Sequence, residues 1–220
     1  MNALREECQR LRDELIALRR EFHRTPELGL HEYHTAARIE RELDRCGIPH
    51  ERVGKTAVVG HLTGNGDGSG LVVLRADIDG LSGVHEATGL PFASQNPDCM
   101  HACGHDMHTA MLLTAAKMLK ENEDALCGTV KLMFQPAEET FEGARDMMEN
   151  GLLENPPVDA ALAYHVAAGK SPVGFVMYND SGVMMASVDG FEVTVHGRGS
   201  HGANPVSYTH LRAHETLSDL

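Results

Sequence analysis

Apolar residues open this chain at helical spacing. Leu4, Cys8, Leu11, Leu15 and Leu18 follow one another at intervals of four and three, which predicts an amphipathic helix over 3–22. A turn at Thr25-Pro26 leads to a second helix over 32–46. It turns Ala36, Ile39, Leu43 and Cys46 inward, and Gly47 just past its end fits a C-terminal stop. Apolar runs at 57–62 and 71–74 then read as strands, separated by a glycine-rich turn at 64–70. A third helix is expected over 107–120 with Asp106 as its N-cap. Strands at 130–134 and 158–164 follow, with a helix over 142–150 between them that Gly151 stops. Strands alternating with helices predict an α/β fold, with helices covering both faces of a sheet. Within 186–196 the period becomes two: Phe191, Val193 and Val195 share one face against Glu192, Thr194 and His196. This reads as the first strand of a second, smaller domain, followed by a glycine-rich loop at 197–202.

Composition narrows the partners. Hydrophobic residues make up 42% of the 220, enough for a core, which excludes global disorder. Nineteen basic against 32 acidic residues leave a net charge of −13, which argues against nucleic acid or an anionic membrane as the main partner. No apolar run approaches the roughly 20 residues of a membrane span, and the charged N-terminus lacks the apolar core of a secretion signal. Five cysteines at irregular spacing suit free or metal-bound thiols in a reducing, cytoplasmic setting. Fourteen histidines without a tryptophan raise the question of a metal or proton-transfer site.

Four segments answer it, each at a predicted strand end. They are Asp77-x-Asp79, the stretch 100–106 with Cys103 and His105, the pair Glu138-Glu139, and His165. Ligating sites in α/β sheets gather at such ends. A thiolate, imidazoles and carboxylates together suit a borderline ion such as zinc, manganese, cobalt or nickel. In an extended segment Cys103 and His105 face the same way, and Glu138 and Glu139 face apart, so one carboxylate can ligate while the other serves as a base. That division suits metal-assisted hydrolysis. Singly each feature is ordinary: Cys-x-His is mostly chance, Glu-Glu a solvated pair, Asp-x-Asp a turn closure, His165 a core histidine. Their joint placement is what carries the argument.

The segments RREFHRTPEL (19–28), RADID (75–79), TGLPFAS (88–94), MHACGHDMH (100–108), FQPAEE (134–139), GARDMMENG (143–151) and GSHGANP (199–205) occur in this order. Together they resemble the amidohydrolase branch of the dinuclear metallopeptidases, which includes aminoacylase, carboxypeptidase G, hippurate hydrolase and auxin-conjugate hydrolase enzymes. The resemblance covers about residues 5–205. It implies a mixed sheet covered by helices, a zinc-peptidase-like catalytic domain over 1–182, and a smaller α+β lid or dimerisation domain beginning over 183–205. It implies two divalent ions held by Cys103, His105, Glu139 and His165, with Asp77 and Asp79 orienting the ligands. Glu138 would be the general base acting on metal-bound water, and His201 would reach the partner subunit's substrate or oxyanion in a homodimer. The implied substrate is an N-acyl amino acid. A dipeptidase or carboxypeptidase of the same family, and a non-catalytic metal- or thiol-binding protein using Cys103, stand as alternatives. His101 and His108, beside the ligands, are candidates to orient them, and His23 has no chemical role on this reading.

Two departures from the family pattern bear on these expectations. The stretch 81–86 lacks the family's Leu-Pro and is one residue longer, in a loop expected to shape the substrate pocket. After Pro205 the resemblance stops, and 206–216 reads as the in-frame translation of a sequencing-library adapter. Residues 206–220 are accordingly set apart as non-native. A longer parent with one more ligating histidine is expected, and the 220-residue chain alone is expected to be nearly inactive.

Overall fold

The computed structural model describes residues 2–194, apart from 155, 168, 170–171, 184, 186 and 189–190. Helices α1 (Asn2–Arg24) and α2 (Tyr33–Arg45) lead into strands β1 (His50–Val53), β2 (Ala57–Thr63) and β3 (Gly66–Asp77). A short ribbon of β4 (Leu81–Ser82) and β5 (Cys99–Met100) precedes helix α3 (His105–Glu121). Strand β6 (Cys127–Gln135), helix α4 (Gly143–Glu149) and strand β7 (Ala160–Ala163) complete the described elements. The sheet order is β1-β2-β6-β3-β7. Strands β1, β2 and β6 pair antiparallel, whereas β6, β3 and β7 run parallel, so the sheet is mixed as expected.

Alternation along the strands sends side chains to two cores. Val58 and Leu62 of β2 and Leu132 and Phe134 of β6 meet Leu18 and Phe22 of α1, Ile39 and Leu43 of α2, and Leu112 and Leu113 of α3. On the opposite face Val59, Val73 and Met133 pack with Met147 of α4 and Leu152. Both faces are therefore covered. Burial on each of these scales contributes about 1.5–3 kcal/mol per large apolar side chain.

Several expectations are corrected in detail. The α1 stripe holds at Leu11 and Leu18, but Leu4 and Cys8 are exposed because the first turns stand clear of the core. Residues 66–70 are part of β3 rather than a turn: Gly66 already pairs with Cys127, and the register slips before Leu71. Missing side chains allow that close, irregular pairing. Helix α3 begins at His105 with Gly104 as its cap, so Asp106 lies inside the first turn. Strand β1 and the β4–β5 ribbon were not anticipated.

The chain divides into two units, Met1–Ser171 and Pro172–Leu220. Within 186–196 the described residues carry no strand, and the loop 197–202 with His201, like the tail 206–220, lies outside the described residues. Among the described residues no helix is long and apolar enough to cross a membrane.

Candidate metal centre

The three parallel strands end at the same edge of the sheet. Asp77 pairs with Gln135, and Arg75 with Ala163, so the residues just beyond β3, β6 and β7 emerge side by side. Asp79 follows β3, Glu138 and Glu139 follow β6, and His165 follows β7. Helix α3 starts at the same place and supplies His105, with Cys103 in the turn before it.

His105 is the hub. Its ring is fully buried, and Nδ1 donates to the Asp79 carbonyl at 3.0 Å and to Asp79 Oδ1 at 3.2 Å. That assignment leaves Nε2 with a free lone pair. Nε2 faces Asp77 Oδ2 at 3.5 Å, Glu138 Oε2 at 3.7 Å and Glu139 Oε1 at 3.8 Å. Cys103 Sγ lies 3.4 Å from His165 Nε2. Three overlapping groups each bring their donor atoms within 4.8 Å of one another: Cys103, His105 and His165; Asp77, His105 and His108; His105, Glu138 and Glu139. The structure thus gathers Asp77, Asp79, Cys103, His105, Glu138, Glu139 and His165.

The local geometry differs from the extended one expected of these segments. Gly104 is left-handed at φ 93°, which turns the chain between Cys103 and His105. Ala137, at φ 47°, bends the chain before Glu138 and Glu139, so both carboxylates converge on His105 instead of pointing apart.

The electrostatics favour a cation. Burial would raise the Asp77 carboxyl, but the His108 hydrogen bond and the neighbouring His105 and Arg75 charges bring it down to about 2. Burial raises Glu138, with Asp77 and Glu139 adding to it. Burial would lower His105, but the Asp79 hydrogen bond and the surrounding carboxylates raise it. Burial and the Glu139 and Glu138 charges push the Cys103 thiol up to about 11. Crowded carboxylates, a thiol held protonated by them and an imidazole lone pair pointing into them form a negative, electron-rich pocket. A divalent cation inverts each of those penalties.

His108, a candidate to orient the ligands, and His23, which had no expected chemical role, both contribute here. His108 Nδ1 lies 2.5 Å from Asp77 Oδ1, and its Nε2 accepts the Val166 N–H at 3.0 Å. It therefore ties Asp77 to the backbone beside His165. His23, given no role, is buried and bridges Asp106 Oδ2 at 2.7 Å and Glu86 Oε2 at 3.2 Å. Arg19 Nε lies 2.7 Å from the same Asp106 oxygen. The Arg19/His23 spacing of four on α1 was the available signal, but nothing local points to Asp106 or Glu86. His101 is buried but joins none of the three donor groups, and burial lowers its pKa to about 4.

A thiol, imidazoles and carboxylates at the carboxyl ends of parallel strands define an α/β protein built around a transition-ion site. The chain belongs to the peptidase family M20/M25/M40, whose profile matches residues 73–219. That span runs through the segment set apart above. The chain is 44% identical over 200 residues to the N-acetyl-L-cysteine deacetylase of Bacillus subtilis, covering 89% of this chain and 46% of that protein. It is 39% identical over 221 residues to thermostable carboxypeptidase 2 of Saccharolobus solfataricus, covering 99% and 53%. The crystal structure of a Bacillus subtilis dinuclear metal-binding peptidase of the M20 family matches with a TM-score of 0.67 at 41% identity, over 71% of this chain and 44% of that one. The chain spans about half the length of the curated relatives it matches.

Proposed function

We propose that the whole protein is a metal-dependent amidohydrolase that cleaves N-acyl amino acids of the N-acetyl or hippurate type. The observation that carries this reading is the convergence of three carboxylates on a buried imidazole lone pair. His105 Nε2 and Glu139 Oε1 are both buried without a hydrogen-bond partner, as atoms reserved for a cation would be. The donor set therefore fits two divalent ions, with Cys103, His105, Glu139 and His165 as the ligands. Zinc, manganese, cobalt and nickel all suit such donors. When bound, the ions supply Lewis acidity toward the amide carbonyl and acidify water at the site.

The chain's own residues divide the remaining work. Glu138, partly exposed and raised in pKa by burial, takes the proton of the attacking water and returns it to the leaving nitrogen. The C–N bond breaks to give a carboxylic acid and an amine. Asp79 holds the His105 tautomer and, through its other oxygen, the Glu139 N–H at 3.0 Å. Asp77 and its His108 hydrogen bond hold the opposite side. His201 of a second subunit contacts the substrate or its oxyanion, and residues 183–205 begin the lid or dimerisation domain that brings it there. A reducing, cytoplasmic location is consistent with five free thiols.

The relative named as a carboxypeptidase supports a second reading, cleavage of peptide bonds by the same site. Profiling the whole protein against N-acetyl amino acids, hippurate and dipeptides separates the two. The Glu138→Gln variant is expected to keep its bound metal and lose at least 100-fold in kcat. Unchanged turnover in that variant refutes the mechanism. Elemental analysis showing no bound transition metal in active protein refutes the metal reading.

A further inference from the structure

The turn that carries Glu138 and Glu139 is strained, and so is the loop against it. Ala137 and Phe141 have φ of 47° and 60°, and Leu30 has 61°, a left-handed backbone that side chains other than glycine disfavour. Such strain persists only where the surroundings over-determine it. The two loops touch. A Cβ on Gly29 would lie 3.0 Å from both Cα and Cβ of Ala137, so the backbones meet with no room for a side chain between them.

Glu32 links the loops. Its side chain is wholly buried. The Ala137 N–H donates to Oε1 at 2.8 Å, across 105 positions of sequence, and the Thr56 hydroxyl donates to Oε2 at 2.6 Å. Among the described residues no lysine or arginine forms an ion pair with it, and burial raises its pKa against those hydrogen bonds. A buried carboxylate without a counter-ion is a costly way to hold two loops together.

The position of Glu32 makes the same point independently. It is the N-cap residue of α2, where a polar side chain ordinarily caps its own helix. It makes no such bond. Glu27 does that work instead, accepting the N–H groups of His34 at 3.1 Å and Thr35 at 2.7 Å. Glu32 is thereby free to reach the facing turn.

We propose that Glu32 is a positioning residue for the metal centre, fixing the left-handed turn at Ala137 and so aiming Glu138 and Glu139 at His105. It acts with Asp79, which accepts the Glu139 N–H two residues further on. Two buried carboxylates thus hold alternate N–H groups of one turn. The assignment rests on the reading of Glu138 and Glu139 as working carboxylates of a metal site, and its test must separate the two ideas.

The test measures Co²⁺ affinity and visible spectrum on the whole protein, with urea melts alongside. Glu32→Leu removes the acceptor for Ala137. Glu32→Gln keeps one. Thr56→Val removes the other bond of Glu32 without touching the turn. Partners that orient ligands are worth roughly 10- to 100-fold in metal affinity. Glu32→Leu is therefore expected to weaken Co²⁺ binding at least tenfold and alter its spectrum, while Glu32→Gln stays within about threefold of the parent. Thr56→Val is expected to lose stability and keep its affinity. Parent-like affinity in Glu32→Leu, or an equal affinity loss in Thr56→Val, overturns the proposal. Should Glu32→Leu fail to fold, Glu32→Asp replaces it: too short to reach both partners, it is held to the same tenfold loss, and parent-like affinity refutes the idea. If the parent binds no Co²⁺, the metal reading fails on its own. Amide hydrogen exchange then decides: the Ala137 and Glu139 N–H groups must exchange at least tenfold faster in Glu32→Leu than in Thr56→Val, and equal rates overturn the positioning role.

Discussion

Replacing His23 with phenylalanine should cost stability in a way that depends on pH. The imidazole is 7% exposed on its side chain and lies between two carboxylates, Asp106 at 2.7 Å and Glu86 at 3.2 Å. Its pKa is raised, chiefly by the Asp106 hydrogen bond working against burial. A hydrogen bond to a charged group contributes about 1.5–3 kcal/mol, and stranding one partner of a buried pair costs about 3–5 kcal/mol. Arg19 still faces Asp106 in the variant, which places the expected loss near the lower figure, about 3 kcal/mol at pH 6. The sign follows from linkage. A histidine whose folded pKa is raised contributes fully below the unfolded value of about 6.5 and loses that contribution as pH climbs through the folded value. Above it the neutral ring still donates from Nδ1 to Asp106, so a residue of about 1 kcal/mol should remain. Urea melts of parent and His23→Phe between pH 5.5 and 8.5 read the difference directly, and titrating groups that do not interact with His23 cancel between the two proteins. A difference that grows with pH, or that stays below about 0.5 kcal/mol throughout, refutes the assignment of His23 as a charged bridge.

Two further outcomes are expected. Lys131 is buried in β6 and its Nζ donates to the carbonyls of Leu152 at 2.7 Å, Glu154 at 2.8 Å and Pro156 at 3.1 Å. Lys131→Met should cost about 3 kcal/mol in a thermal melt, and a loss under 1 kcal/mol would mean the three carbonyls find other donors. In the cation-free chain the Cys103 thiol is held up to about 11, so a cation that takes its sulfur must displace a proton. Co²⁺ affinity should therefore rise at least tenfold per pH unit between pH 6 and 8, with the raised His105 adding to the slope, and Cys103→Ala should reduce that slope in titration calorimetry.

Helices α1 and α2 were legible from apolar residues at helical spacing, α3 and α4 from their cap and stop residues, and strands β2, β3, β6 and β7 from short apolar runs. Strand β1 was not. Its four residues His50–Val53 bury only the last, so an edge strand held by backbone pairing leaves no hydrophobic trace. The start of β3 was hidden in glycines, which read as a turn although β6 pairs with them. Cys103, His105, Glu138, Glu139 and His165 could be singled out as residue types at element ends, without knowing how those ends meet. Glu32 and His23 could not be, since each has its defining partner far along the chain, Ala137 and Asp106; His108 was a candidate by its place beside His105, but its partner Asp77 was not readable.

Periodicity is a property of neighbouring residues, so the α/β class and the chemical inventory of the site follow from the chain read locally. Whether those groups meet depends on the parallel register of β3, β6 and β7, which brings Asp79, Glu138 and His165 out at one edge. The direction in which Glu138 and Glu139 point is a tertiary matter too. Read alone, the segment suits an extended strand with the two carboxylates facing apart. A buried carboxylate from the residue before α2 takes the Ala137 N–H, the backbone turns left-handed, and both carboxylates face His105. No local pattern encodes a hydrogen bond between residues 32 and 137, because the bond exists only once the sheet has brought the two loops together.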